Sequence, residues 1–350
     1  MTQNLEESTI GLAPLDITLE ITRKCPLRCN FCSSNGGDPH PKELTLIDWE
    51  RIVDEAIEIG ARSFLISGGE PFSCQYIKEL IEYISEKPAQ ISIYSSGNVE
   101  KNNKIEPLAL KDLEFIANLG SIKMILSLEG SSNFTHDKIT NKMNSFCNTI
   151  QSVQNCIKLG LKTEIHFVPT KQNYFELPGV LDISKNLGVD KISILRFVPQ
   201  GRGKENRKSL ELDYEDLIKL NKIFLDFRKY RDFVRIGSPF NPFLLSTNYI
   251  CTAGINRITI RYDGLVFPCE AFKFLPENEE IDIRKFSLKR IFYDSSIFKE
   301  VKTYHKIFLN SSCKSCSGFS ICGGGCPAQK ILNSTNIDPI CLQLIEVKQK

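Results

Sequence analysis

The chain has 350 residues, 41% hydrophobic and 25% charged, which is the make-up of an ordinary soluble globular protein of one large domain or two. Its 44 basic and 42 acidic residues leave a net charge of +2, so no strong electrostatic pull toward nucleic acid or a membrane surface follows. Residues 1–14 lack the basic and apolar regions of a signal peptide, and no apolar run of about twenty residues is present. Thirteen cysteines in such a chain point to the cytoplasm and to metal rather than to disulfides.

Strand-like and helix-like segments alternate from residue 15 to about 199. Strands are predicted at 15–22, 63–69, 90–98, 122–130, 162–170 and 191–199, each short and rich in Ile, Leu, Val, Phe and Ser. Helical spacing of apolar residues predicts helices over 45–60, 74–86, 109–119, 144–160 and 174–188, several ending in Gly. Six βα units in a row imply a parallel sheet with helices outside, a partial (β/α)6 TIM-like barrel whose site lies at the strand C-termini. A helix over 214–230 closes this unit. The expected division is a tail at 1–14, the barrel at 15–236, a Pro- and Asn-bearing linker at 237–249, and a Cys-rich region at 250–350. In that last region two alternating strands flank Asp263-Gly264, the signal of a two-residue hairpin. The segment from Ser311 buries little apolar surface and needs metal to fold.

Cys25, Cys29 and Cys32 form C-x3-C-x2-C directly after the first strand. Three thiolates are one too few for a closed zinc tetrahedron and one too few for an iron–sulfur cubane, so one position stays open for chemistry. A disulfide framework or zinc is the alternative reading of the triplet alone. Ser67-Gly68-Gly69-Glu70-Pro71 ends the second strand, where the glycines allow close backbone approach and a carboxylate accepts hydrogen bonds from an ammonium group. Ser95-Ser96-Gly97-Asn98 ends the third, Ser127-Leu128-Glu129-Gly130 the fourth, with His136-Asp137 beyond it. Arg196-Phe197-Val198-Pro199-Gln200-Gly201-Arg202-Gly203 follows the sixth. Seven further cysteines run Cys251, twelve residues, Gly264, four residues, Cys269, then Cys313-x2-Cys316-x5-Cys322-x3-Cys326, and Cys341.

These motifs, from residue 15 to Cys341, resemble a radical S-adenosylmethionine (SAM) enzyme with a C-terminal SPASM domain, of the peptide- and protein-modifying subgroup that includes the sulfatase-maturing enzymes. The resemblance implies a [4Fe-4S] cluster on Cys25, Cys29 and Cys32, with SAM completing the fourth iron. It implies SAM contacts from Phe31, Gly68, Gly69, Glu70, Ser96, Ser127 and Leu195. Relatives carry an Arg for the SAM carboxylate where Thr140 stands here, and Lys142 is the substitute. Two auxiliary [4Fe-4S] clusters are implied, an outer one on Cys313, Cys316, Cys322 and Cys341, and an inner one on Cys251, Cys269 and Cys326. Some relatives have an eighth cysteine where this chain has Leu245, so the inner cluster has an open iron or a non-cysteine ligand. Glu270 matches the Asp that acts as base in the sulfatase-maturing enzymes.

The implied activity is that of an oxidoreductase. A 5′-deoxyadenosyl radical abstracts hydrogen from a substrate carbon, and the auxiliary clusters accept the substrate's electron to give an oxidised or cross-linked peptide. A flavodoxin- or ferredoxin-type protein donates the first electron. Oxidation or epimerisation of a small molecule, such as a sugar or cofactor precursor, is the alternative, because only fourteen residues precede the barrel; a non-catalytic metal protein is more remote. From the residues themselves, Cys74, just past the glycine motif, is a candidate hydrogen donor. Cys147 and Cys156 read as core residues of one helix, and His136 and His166 as packing or surface histidines.

Overall fold

The computed structural model describes residues 16–237, 240, 251–307, 313, 315, 316 and 319–341. The tail and most of the linker, Leu245 included, lie outside the described residues.

Its centre is a nine-stranded sheet built on a regular alternation. Six strands come from consecutive βα units: β1 (Asp16–Glu20), β2 (Ser63–Ser67), β3 (Gln90–Ser95), β6 (Ile122–Ser127), β7 (Lys162–Phe167) and β8 (Lys191–Ile194). They lie side by side and parallel in the order β1-β2-β3-β6-β7-β8. On one face Ile17, Leu19, Phe64, Ile66, Ile91, Ile93, Met124, Leu126, Ile165, Phe167, Ile192 and Ile194 are buried under helices in one apolar cluster. The other face lines the barrel lumen. There Thr18, Glu20, Ser92, Tyr94, Ser127, Glu164, His166 and Ser193 alternate with the apolar set, as the two-residue period of a strand requires. A sheet packed only for stability would be apolar on both faces; this lumen is polar.

Helix α1 (Leu46–Glu58) shows how the outer layer is made. Thr45 caps it in a reciprocal box with Asp48, which holds two backbone N–H groups that the helix cannot satisfy itself. Trp49, Ile52, Val53 and Ala56, at helical spacing, are all buried against the sheet. Each large side chain so buried contributes about 1.5–3 kcal/mol. The helices α2 (Ile77–Ser85), α3 (Leu110–Asn118), α5 (Ser145–Lys158), α6 (Leu177–Leu187) and α7 (Tyr214–Phe227) fall where the periodicity places them. Helix α2 begins three residues later than the pattern suggests, because residues 71–73 form a 3-10 turn capped by the Glu70 side chain.

Several features depart from the expected plan. Each strand ends two to five residues early, since its last predicted residues form the loop that carries the motif. A second hairpin, β4 (Asn98–Lys101) and β5 (Lys104–Pro107), and a helix α4 (Asn133–Thr140) were not apparent from the pattern. The sheet also extends beyond six strands. β9 (Val234–Ile236) adds parallel to β8, and β10 (Arg257–Ile260), from the Cys-rich region, adds parallel to β1 with Asp16 beside Arg257. β11 (Val266–Phe267) pairs antiparallel to β10. The boundary expected near residue 250 therefore lies between strands of one sheet. The hairpin loop has three residues, not two. Arg261 N–H donates to Leu265 O and Gly264 N–H to Arg261 O, with Gly264 at φ 86°, a turn followed by a left-handed glycine. Cys156 is buried but Cys147 is exposed, which corrects its reading as a core residue: it lies on the solvent side of α5.

Among the described residues no helix is long and apolar enough to cross a membrane. A buried ion pair ties the end of the barrel to the Cys-rich region: Arg196 Nη1 lies 2.8 Å from Asp338 Oδ2, with the two side chains 9% and 0% exposed. Asp338 also accepts from the N–H groups of Cys326 and Ile340. Asp338→Asn removes the carboxylate charge from a buried ion pair, so it is expected to destabilise the protein by about 3–5 kcal/mol, read as a lowered midpoint in denaturant unfolding of the metal-loaded protein.

Candidate functional site

The cysteine triplet is held against the end of β2 by backbone contacts. Ile21 N–H donates to Ser67 O, Gly69 N–H to Thr22 O at 2.6 Å and Glu70 N–H to Lys24 O at 2.8 Å, so the β1–β2 pairing runs on up to Cys25. A Cβ on Gly68 would lie 2.4 Å from Thr22 O, and one on Gly69 2.4 Å from Lys24 O. Both glycines are needed for this approach, whatever they do toward a ligand. Gly36 completes the cradle. Its N–H donates to Cys32 Sγ at 3.3 Å, and a Cβ there would sit 3.2 Å from Cys25 Cβ and 3.7 Å from Cys32 Sγ.

Glu70 is fully buried and accepts four hydrogen bonds from protein groups: Ser95 Oγ and Phe72 N on one oxygen, Ser96 N and Ser96 Oγ on the other. Burial raises its carboxyl above the ordinary range, against the pull of these donors. The carboxylate thus clips the end of β2 to the end of β3, and Ser96 is engaged in the same clip.

Arg202, quoted in its motif but given no role by sequence reasoning, clamps the triplet from the other side. Its Nε donates to Cys29 O at 2.9 Å, its Nη1 to Gly36 O at 2.8 Å and its backbone N–H to Cys32 O at 3.1 Å. Gly201, at φ 56°, would clash with Cys32 O through any side chain. Burial pushes the Cys25 thiol up to about 12 and Cys29 well above its ordinary value, and Arg202 is the cation that counters this. Thiolate ligands must be deprotonated to bind metal, so a fixed cation beside them favours the loaded state.

Phe31 and Leu195, the two expected adenine neighbours, come together in one small apolar cluster with Val168, Phe197 and Leu210. Ser127 Oγ donates to Tyr94 Oη in the lumen. The His136-Asp137 pair is used within the fold. His136 Nδ1 accepts from Glu129 N, and Asp137 caps α5 through Asn144 N, Ser145 Oγ and Phe146 N. Burial lowers His136 to about 4, so it stays neutral. Thr140, where relatives carry Arg, is buried and donates to His136 O. Lys142 instead lines a cleft of about 340 Å³ together with Cys25, Lys24 and Arg28. Cys74 is buried in the apolar core, which pushes its thiol up to about 11.

The C-terminal cysteines fall into two neighbourhoods. Cys269 feels the sulfurs of Cys251 and Cys326. Cys313 feels Cys316 and Cys322, and Cys322 shares a hydrogen bond with Cys341. Glu270, next to Cys269, takes a hydrogen bond from Thr18 Oγ1 at 2.5 Å. Burial opposes its charge, but Arg257 and Thr18 hold it ionised. Lys273 reaches Glu20 at 2.5 Å and Ser34 at 2.6 Å, so the Cys-rich region grips both β1 and the triplet loop.

The donor set suits an iron–sulfur cluster. Among the described residues no three His, Cys, Asp or Glu side chains close on a single metal ion. A cubane requires no such closure, since its ligands are spread over separate irons. Beside Cys29 the buried Glu129 carboxyl keeps Oε1 without a protein partner, and burial raises it to about 8, leaving a polar group free for a ligand at the triplet.

Residues 19–184 match the family model of the Radical SAM superfamily. The chain carries a radical SAM domain. That domain and the named relatives support an iron–sulfur enzyme. It is 24% identical over 257 residues to the sporulation killing factor maturation protein SkfB of Bacillus subtilis, covering 73% of this chain and 60% of that protein. It is 25% identical over 347 residues to the PqqA peptide cyclase of Bradyrhizobium diazoefficiens, covering 97% and 88%. The fold superposes on Streptococcus suis SuiB bound to S-adenosylmethionine with a TM-score of 0.75 at 21% identity, and on SuiB bound to precursor peptide SuiA with 0.73 at 23%. Each superposition covers 94% of this chain, and 77% and 76% of SuiB respectively. The radical SAM domain brings a [4Fe-4S] cluster and SAM.

Arg202→Gln removes the guanidinium donors to Cys29 O and Gly36 O. It is expected to weaken cluster retention by roughly 10–100-fold, measured as iron and sulfide released to a chelator, while Gly36 N–H still meets Cys32.

Proposed function

We propose that this enzyme modifies a peptide by radical SAM chemistry and uses three iron–sulfur clusters. The observation that carries the reading is the open-valence triplet Cys25, Cys29 and Cys32, clamped at the C-terminal mouth of a barrel with a polar lumen. Support for a peptide substrate comes from relatives that span nearly the whole chain and are named for peptide cyclisation. The two cysteine neighbourhoods support an inner auxiliary cluster on Cys251, Cys269 and Cys326, and an outer one on Cys313, Cys316, Cys322 and Cys341. Residue 245 leaves the inner one short of a cysteine ligand.

When bound, the first cluster and SAM supply a radical that takes hydrogen from an unactivated carbon. The residues supply position and exclusion of water. Gly68, Gly69 and Gly36 leave room at the triplet. Phe31 and Leu195 offer an apolar surface for the adenine, Lys142 a point charge for the SAM carboxylate, and Ser127 a hydroxyl at the lumen. Glu270, ionised at the barrel wall beside Cys269, is placed to accept a proton from the substrate. A flavodoxin- or ferredoxin-type protein supplies the reducing electron.

Anaerobic reconstitution followed by reduction in the presence of SAM tests the reading. It is expected to yield 5′-deoxyadenosine, with none above background in Cys29→Ala; absence of product in the unaltered enzyme overturns it. Lys142→Ala is expected to raise the KM for SAM roughly tenfold, about 1.4 kcal/mol, with little change in kcat. Iron near twelve atoms per chain is the expected content for three cubanes, four irons each.

A further inference from the structure

The lumen wall formed by β7, β8 and β9 carries a polar cluster that the radical chemistry leaves unused. Glu164 Oε1 lies 3.0 Å from His166 Nε2 and accepts from Ser193 Oγ, while Lys123 stands 3.3 Å from Oε2. Arg235, from the edge strand β9, donates to Ser193 Oγ at 2.8 Å and comes within 3.7 Å of Glu164. Lys191 is the register partner of Glu164 on the same face. His166 is 6% exposed, and its ring meets Tyr94 edge-on at 5.0 Å between centroids. Its register partner on one side is Ser127, whose hydroxyl donates to Tyr94 Oη.

One ring nitrogen, His166 Nδ1, is buried with no partner among the described residues. The other faces an ionised carboxylate. Burial opposes the Glu164 charge, but His166, Ser193 and Lys123 hold its carboxyl well below the usual range. Burial also lowers His166, against the pull of Glu164. A neutral imidazole beside a carboxylate places its proton on Nε2, which leaves Nδ1 a bare acceptor. A buried acceptor without a donor costs about 1–3 kcal/mol, and native structures rarely carry that cost without use. Lys123 and Arg235 already outnumber the Glu164 charge, so a further cation is disfavoured there.

We propose that His166, fixed by Glu164, is the substrate-facing hydrogen-bond acceptor of the barrel lumen, and that it takes a neutral O–H or N–H donor, a hydroxyl or carboxamide, of the substrate. This rests on the peptide-modifying reading and adds the polarity of the residue presented to the radical.

The chain has four histidines, so the ¹⁵N-histidine-labelled, cluster-loaded enzyme gives a spectrum simple enough to assign, with His166→Asn or, if that variant does not fold, His166→Gln identifying the residue. The expected result is a proton on Nε2 and none on Nδ1, and a saturable shift of the Nδ1 resonance on adding acetamide. N,N-dimethylacetamide, which has no donor, and methylammonium, which is charged, are expected to leave it in place. In Glu164→Gln the preference for the Nε2 proton is expected to fall. A proton already on Nδ1, no saturable shift with acetamide, the same shift with all three probes, or a shift with methylammonium alone overturns the proposal. Release of 5′-deoxyadenosine by the unaltered enzyme tests the radical reading separately: its absence with the Nδ1 shift intact overturns that reading and leaves the acceptor site standing.

Discussion

The carbonyl oxygens of Thr22, Arg23 and Lys24 occupy the space where side chains on Gly68 and Gly69 would begin. That contact lets the β1–β2 ladder run past the formal strand ends and fixes the backbone immediately before Cys25. The site depends on it. Glu70, next in line, is directed back to the end of β3, so the β2 and β3 ends share one carboxylate. The cysteine loop then needs only a clamp on its far side, and Arg202 provides it. A loop with three free thiols is kept in shape by glycine geometry, by the guanidinium groups of Arg202 and Arg28 and by Lys273.

Polar residues lining a parallel sheet usually weaken it, and here the charges among them are paired. Lys273 meets Glu20, Arg196 meets Asp338, and Lys123 and Arg235 meet Glu164. A buried pair of this kind adds little stability over an apolar one of the same size, but breaking it is costly. Such pairs therefore constrain register more than they strengthen the fold. Two of the three join the Cys-rich region to the barrel, which fixes Glu270 and Cys269 relative to the lumen.

The strands and outer helices were legible because Ile, Leu and Phe recur at periods of two and 3.6. The cysteine triplet and Ser67-Gly-Gly-Glu-Pro71 were legible because their spacing admits few other uses. Strand ends were not, since Gly68, Gly69, Glu129 and Gly130 look like strand continuations until the loop geometry is seen. β9 was not, because three residues carry too little pattern, and β10 was legible as a hairpin strand but not as the partner of β1. Arg202 escaped because its partners are backbone carbonyls, which leave no trace in side-chain spacing. His166 read as a packing histidine for a related reason: its significance lies in Glu164, two residues away on the same face, and in the absence, among the described residues, of any partner on its other nitrogen.

The pairing of β10 with β1 bears on how the molecule is made. Asp16 and its neighbours are synthesised early, but the strand that covers their edge, at Arg257 to Ile260, emerges only after the six βα units are complete. Until then β1 presents an open row of amide and carbonyl groups, the template on which strands of other chains assemble. Contacts between such distant segments also form slowly. The nascent barrel therefore passes through a period in which its first strand is exposed and the loop carrying Cys25, Cys29 and Cys32 lacks its Lys273 support, which sets late iron loading, after the last third of the chain has docked, as the order least prone to aggregation.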